Sequence, residues 1–271
     1  MQIIITKSIS SELKDLFWNV FFKSKNRGIS LERHFPWIDN SLKDVVFFEV
    51  KILSKTVGGL LLRKSKLNIN GNEYKIGAIG LVCVTTEHRN AGIASELLNR
   101  VIDFSKEKYD YLTLWTNQHH IYLKHHFYVS DPWNYGWVQT EKCVKYKQYN
   151  EIHANKSITE IQSLPLPPFA TGIYKYSTGE ISFILIKDSD GDIVVSYEGN
   201  TEDLALFMIY SLPERWRLNA VKNDLLISAL TKQGASPKLS PVNLQMWLNL
   251  NDGNNLNIIP EELTIPVIYR I

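Results

Sequence analysis

The stretch from Ile76 to Trp115 restricts the fold more than any other. Ile76–Val84 is a nearly unbroken apolar run, the pattern of a strand covered on both faces. A polar turn leads to Gly92, after which Ile93, Leu97, Val101 and Phe104 mark one stripe of a helix, widened by Leu98 and Ile102. Tyr111–Trp115 is another strand-like run. A strand, a helix and a strand in this order pair in parallel, because the helix carries the chain back to the end of the sheet where it began. The flanking runs are written differently. Val45–Lys51, Thr56–Leu62 and the arm opened by Asn70-Gly71 are separated by short turns, the signature of antiparallel hairpins. The expected fold is α+β: a mixed, mostly antiparallel sheet interrupted by a single parallel pair.

The rest of the first half fits that frame. Ile3–Ile5 reads as a first strand, and Ser10 as the N-cap of a helix with Glu12 in its first turn. Leu13, Leu16, Phe17, Val20 and Phe21 give that helix one apolar face. A shorter helical stretch around Leu31–Trp37 is interrupted by Pro36, and His119–His126 reads as another short helix, followed by a Trp- and Tyr-rich strand region over Val129–Tyr146.

The chain has 271 residues, 44% hydrophobic and 21% charged, enough to bury a core. Its formal charge of +2 conceals an asymmetry: residues 1–150 hold 21 Lys/Arg against 14 Asp/Glu, and residues 151–271 hold 9 against 14. A net +7 over 150 residues suits an anionic small molecule but is too dilute to argue for nucleic acid. Cys83 and Cys143 lack metal or disulfide spacing. No apolar run approaches a membrane span, and the start of the chain lacks a signal-peptide pattern. A cytoplasmic protein with no membrane partner is the expectation; the oligomeric state is not legible.

The stiff segment Ser163-Leu164-Pro165-Leu166-Pro167-Pro168 is the best linker candidate. After it, Thr171–Tyr176, Ile181–Lys187 and Asp192–Glu198 read as strands and Asn200 caps a helix through Met208. Trp216–Val221 is a strand, Asp224–Lys232 a helix stopped by Gly234, and Val242–Leu250 a last strand. This order repeats the latter part of the first half. The expected division is a domain at 1–150, a linker at 151–168 and a smaller α+β domain at 169–271.

Chemistry is concentrated at the turn before the Gly92 helix. The first N–H groups of a helix lack internal partners, and the helix dipole places partial positive charge there. Gly92 and Ala94 keep side chains away from those amides, and Arg89 adds a cation. The result is a cradle for a diphosphate. It is neither a Walker loop nor a dinucleotide fingerprint, since GxxxxGK[ST] and GxGxxG are both absent.

Arg89-x-x-Gly92-x-Ala94 after Val82-Cys83-Val84, with Trp115-Thr116 and Tyr122-x-x-x-His126-Phe127 downstream, resembles the GNAT superfamily of acyl-CoA-dependent N-acetyltransferases. The resemblance covers residues 1–140 in element order and is sharpest over 76–127. It implies two splayed parallel strands, with the pantetheine arm of acetyl-CoA pairing to the backbone of Val82, Cys83 and Val84. The diphosphate would rest on Arg89, Asn90, Ala91, Gly92, Ile93, Ala94 and Ser95. Backbone donors near Val84 would polarise the thioester oxygen, and Tyr122 would protonate or hydrogen-bond the leaving thiolate. His126 stands where the family has glycine, which leaves the close of that helix and the placement of Tyr122 open. The strand 76–84 has no carboxylate; Glu49 and Glu73 are the base candidates, with Glu49 preferred. Glu87 lies nearer the diphosphate.

Other features are weaker. His119, His120, His125 and His126 lack the i, i+4 pairing of metal ligands on a helix. Asp188-x-Asp190-Gly191-Asp192 departs from a calcium loop and reads as a hairpin turn. Cys83 is read as a core residue rather than a nucleophile. Trp133, Tyr135 and Trp137 form an aromatic cluster suited to an acceptor floor, a core or an interface. In the second half, Asn223-x-x-Leu226-x-x-x-Leu230-x-x-x-Gly234 has the spacing of the family's last helix with leucine at the tyrosine position. The loop Glu198–Asp203 carries three acidic residues where a diphosphate needs cations. The second half is therefore expected to be a degenerate GNAT-like repeat that does not bind acetyl-CoA. The expected function is transfer of an acetyl group to a small-molecule primary amine, the net −5 of residues 151–271 favouring a cationic one. Acylation of a protein amine is a second enzymatic reading, and a non-catalytic acyl-CoA sensor or interaction protein is the rival.

Overall fold

The computed structural model describes residues 1–39, 44–69, 71–140, 156–250 and 265. Its described residues form two compact units, one built from residues up to 131 with 243–250 and 265, the other from residues between 132 and 242. The chain is therefore not divided at 1–150, 151–168 and 169–271. The expected boundary at 150 lies outside the described residues, and each unit contains a strand from the other's stretch of sequence.

The first unit holds a seven-stranded sheet. Its strands are β1 (Gln2–Thr6), β2 (Val45–Ile52), β3 (Lys55–Ile69), β4 (Asn72–Val84), β5 (Tyr111–Trp115), β6 (Tyr128–Val129) and, from near the end of the chain, β14 (Gln245–Asn249). The order is β1-β2-β3-β4-β5-β14-β6. All pairings are antiparallel except β4 with β5, as the strand–helix–strand pattern predicts. Helix α1 (Ser11–Phe21) is capped by Ser10, whose hydroxyl accepts from Leu13 N–H. Its Leu13 and Phe17, with Phe22 and α2 (Leu31–His34), build one core against Phe47, Leu61 and Cys83. On the opposite face α3 (Ile93–Ser105) buries Ile93, Leu97, Leu98 and Val101 against Phe48, Leu60, Leu62 and Leu112. Tyr122 and Phe127 of α4 (His119–Leu123) and the turn after it join that second core.

The second unit repeats the plan. Its strands are β7 (Trp133–Gln139), β8 (Ser157–Glu160), β9 (Ala170–Thr178), β10 (Ile181–Asp188), β11 (Ile193–Glu198), β12 (Arg215–Val221) and β13 (Ser236–Pro241). Their order is β13-β7-β12-β11-β10-β9-β8, with β11 and β12 the parallel pair. Helix α5 (Thr201–Ser211) follows β11 and α6 (Leu225–Lys232) follows β12, as α3 and α4 follow β4 and β5. Apart from one reciprocal exchange the two strand orders correspond: β7 occupies in the second sheet the place that β14 occupies in the first. The expected linker is not free chain. It contains β8, which pairs with β9, and Leu166 is 1% exposed in a core with Ile173, Ile186 and Val195.

Candidate active site

The site begins with a fault in the sheet. β4 and β5 pair only from Ile76–Ala78 to Tyr111–Thr113. On its other edge β4 slips register against β3: Gly80 faces Leu61 and Cys83 faces Gly59, so Leu81 and Val82 together oppose Leu60. That is a β-bulge, which bends the strand carrying the extra residue; Leu81 takes φ +52 to make it. Beyond Ala78 no described strand pairs with β4 on the side of β5, which leaves the backbone of Val82, Cys83 and Val84 facing a cleft. The cleft has a volume of about 480 Å³ and is lined by Gly80–Val84, Leu114–Gln118, Ile121 and Tyr122, with Phe21 and Lys25 at the α1 side.

At one end of the cleft stands the start of α3. Gly92 is its N-cap with φ +79, and no side chain caps the helix. A Cβ at Gly92 would meet nothing within 4 Å, so the space before the helix is open. The first amides of α3, at Ile93, Ala94 and Ser95, therefore have neither an intrahelical partner nor a capping group. A second cavity of about 400 Å³ lies over them, lined by Arg89, Asn90, Gly92–Ser95 and by His88, His120, Lys124 and His125. Asn90 is also left-handed, at φ +63, and Arg89 Nε donates to the Val84 carbonyl at 3.3 Å. These groups fit a diphosphate: free amides, a helix dipole and several cations, with no carboxylate among the described lining residues. The histidines were not singled out for this role from sequence. The signal was present, because His120, Ile121, Lys124 and His125 fall on one face of a helix turn. His125 Nε2 lies 3.1 Å from Ser95 Oγ. Burial, then the neighbouring His126 and Lys124, hold its imidazole below the ordinary value.

Tyr122 reaches the cleft from α4. It is 8% exposed, and burial pushes its phenol up to about 12, so it stays protonated at neutral pH. His126 does not alter the close of that helix. It adopts φ +64, the left-handed conformation that favours glycine. Phe127 N–H donates to the Tyr122 carbonyl at 3.2 Å and His126 N–H to that of Leu123 at 3.1 Å. This is the paired Schellman arrangement, completed by the edge-on contact of Tyr122 with Phe127 at 6.0 Å. Cys83 is 6% exposed on the α1 side and burial raises its thiol to about 12, so it is a protonated core group rather than a nucleophile.

Glu49 is not brought to the cleft. It lies in register with Gly59, which faces Cys83, two strand spacings or about 10 Å away. Leu13 of α1 fills the space above Gly59. The carboxylate, 2% exposed, accepts from Ser10 Oγ at 2.8 Å and from Thr56 Oγ1, with Lys51 Nζ at 3.5 Å. Glu49 ties the α1 N-cap to the sheet. Glu73 is farther still, in an exposed ion pair with Lys66 at 2.8 Å. Glu87 belongs to the 3₁₀ turn Thr86–His88 and lines neither cavity.

The second unit's counterpart of this site is closed. Asn200 caps α5 through its own side chain, accepting from Glu202 and Asp203 N–H at 3.0 and 3.3 Å. The cavity beside it is lined by Glu180, Glu198 and Asp203 against one cation, Lys175, so neither the amides nor the net charge favours an anion. Leu230 stands in the place of Tyr122, and α6 ends in the same pair of hydrogen bonds, Ala235 N–H to Leu230 and Gly234 N–H to Thr231. The aromatic cluster lies on β7 in this unit: Trp133 is buried, and Trp137 is stacked by Arg215 and Arg217. Asp188–Asp192 is a hairpin turn in which Asp188 pairs with Arg217 and Asp192 with Lys187. Among the described residues no three His, Cys, Asp or Glu side chains converge as metal ligands, and no helix is long and apolar enough to cross a membrane.

Residues 5–130 match the family model of the acetyltransferase (GNAT) domain. No curated protein matches the chain. Among solved structures, a probable N-acyltransferase from Enterococcus faecalis superposes with a TM-score of 0.66 at 14% identity, over 92% of this chain and 73% of that one. A GCN5-related N-acetyltransferase from Kribbella flavida gives 0.60 at 12% identity, over 92% and 72%. A tandem GNAT protein from the clavulanic acid biosynthesis pathway gives 0.55 at 10% identity, over 93% of this chain and 100% of that one. These likenesses concern the fold, and the second unit's strand order extends it beyond residue 130. By that family model residues 5–130 of this chain form a GNAT acetyltransferase domain, and the chain as a whole has the fold of a tandem GNAT protein.

Proposed function

We propose that this protein is an acetyl-CoA-dependent N-acetyltransferase that carries one working site, in its first unit, and acts on a primary amine by direct attack. The observation that carries this reading is a juxtaposition. An uncovered strand edge at Val82–Val84, an uncapped helix start at Gly92 and a buried, protonated Tyr122 surround one cleft. When bound, acetyl-CoA supplies an acetyl thioester. The amides of Ile93–Ser95, with Arg89 and Lys124, hold the diphosphate. The open backbone of Val82–Val84 holds the pantetheine arm as a surrogate strand. Tyr122 delivers its proton to the departing sulfur. With no nucleophile available at Cys83, the acetyl group passes to the acceptor without an acyl-enzyme.

Calorimetric titration with acetyl-CoA, followed by thiol release over a panel of amines, tests the reading. Saturable binding with release on at least one amine is the expected result; binding with release on none would make the protein an acyl-CoA sensor. Tyr122→Phe should lower kcat by about 10²-fold with the acetyl-CoA Kd unchanged. Unaltered turnover would remove Tyr122 as the acid.

A further inference from the structure

The cleft carries a charge pattern that bears on the acceptor. Its described lining includes two cations, Lys25 and Arg89, and neither a carboxylate nor a histidine. Arg89 is engaged toward the Val84 carbonyl and the diphosphate cavity. Lys25 lies on the opposite side, at the end of the 3₁₀ turn after α1, exposed and without an ion pair among the described residues. A cationic acceptor would find no counter-charge here. An acceptor with an acid group would find one.

Among the described lining residues none takes a proton from an ammonium ion. Cys83 and Tyr122 are both protonated at neutral pH, and Glu49 is shut off behind Leu13, its Oε1 already engaged by Ser10, Thr56 and Lys51. Without a base among the described residues of the cleft, the nucleophile is whatever fraction of the amine is neutral in solution. An alkylamine, near 10.4, is about 0.04% neutral at pH 7, whereas an α-amine near 8 is about 10% neutral. The apolar walls, Phe21, Leu81 and Trp115 among them, further disfavour an ammonium ion.

We infer that the acceptor is a weakly basic α-amine carrying a carboxylate, as on a short peptide, that arrives neutral and is anchored by Lys25. The inference rests on the acetyltransferase reading and narrows its acceptor. The nitrogen lone pair forms the C–N bond as the C–S bond breaks. The sulfur takes the Tyr122 proton, and the proton shed by the nitrogen returns to Tyr122 through solvent, leaving amide and free thiol.

The test is a set of pH–rate profiles with three probes: diglycine, diglycinamide and n-butylamine. For diglycine, kcat/KM should climb tenfold per pH unit and level near pH 8, at the amine's own pKa; for butylamine it should still be climbing at pH 9.5. Glu49→Gln should leave both profiles in place. Diglycine should exceed its amide, and Lys25→Ala should reduce that advantage, two- to fivefold for an exposed ion pair, to near one. A break at one pH shared by all acceptors, or a profile flattened by Glu49→Gln, would reveal a protein base and overturn the inference while leaving the acetyltransferase standing. Preference for butylamine at neutral pH would overturn it as well. Acetyl-CoA binding without turnover of any probe or of the wider amine panel would instead bring down the acetyltransferase reading, and this inference with it.

Discussion

His126 shows how one side chain can hold a conformation that another residue would take without strain. At φ +64 it adopts the left-handed shape that costs a side chain about 1–2 kcal/mol and glycine nothing. His126→Gly should therefore raise stability, by about 0.5–1 kcal/mol once glycine's greater unfolded-state entropy is subtracted, read as a higher denaturation midpoint at unchanged slope. His125 beside it has a different consequence. Because burial and the charges of His126 and Lys124 depress its pKa, the folded protein binds fewer protons at this site than the unfolded chain. Its contribution to stability is thus complete above 6.5 and is lost as pH falls through the unfolded value toward the folded one. A diphosphate among His125, His88, His120, Lys124 and Arg89 reverses the local field and draws the proton back. Acetyl-CoA binding should accordingly take up protons and tighten between pH 8 and pH 6, and calorimetry in buffers of different ionisation enthalpy measures that uptake. His125→Gln should reduce it.

At the level of elements, two helix starts on one plan have opposite chemistry. α5 satisfies its own amides through Asn200, whereas α3 begins on Gly92 and leaves them open. Gly92→Asp should bring the second pattern into the first unit. A carboxylate at the diphosphate position should weaken acetyl-CoA binding by at least 10²-fold, since like charges are brought into contact at a helix N-terminus. The melting temperature should fall by a few degrees, because a side chain at φ +79 costs about 1–2 kcal/mol even though the space around Gly92 is open. The contrast was legible in the residues themselves, Gly92 against Glu198–Asp203. So were most helices and strands, whose apolar periods are local. The bulge at Leu81-Val82 was not, because a register slip depends on which residues of β3 stand opposite. Nor was the seclusion of Glu49, which follows from Leu13 occupying the space that Gly59 vacates. β13 is not legible for a further reason: Pro237 and Pro241 and alternating exposure give an edge strand little apolar signal.

The partner of a strand is the least local property of all. β14 reads as an ordinary closing strand, yet it pairs with β5 and β6 of the first unit, and β7 sits between β12 and β13 of the second. A chain ending at residue 150 would lack Met246 and Trp247, each no more than 1% exposed, and the middle strand between β5 and β6. Losing two large buried side chains forfeits about 3–6 kcal/mol, a large part of the 5–15 kcal/mol that holds a domain folded. Such a chain should show no cooperative melting. The remedy follows from the geometry of the first unit alone. Asp131 accepts from the backbone N–H of Leu244 and Gln245 at 2.9 and 3.1 Å, and Ser130 N–H donates to Gln245 at 3.1 Å. β6 and β14 therefore already lie as the two arms of a hairpin, with Asp131 and Asn243 at its open end. Joining residues 1–131 directly to 243–250 through a two-residue Asn-Gly turn should restore the seven-stranded sheet. This shortened chain is expected to melt cooperatively and to retain acetyl-CoA binding, since every residue of the diphosphate cavity lies within it. Failure of the joined chain to fold, or cooperative melting of the chain cut at 150, would show that the exchange of strands does not stabilise the first unit as described.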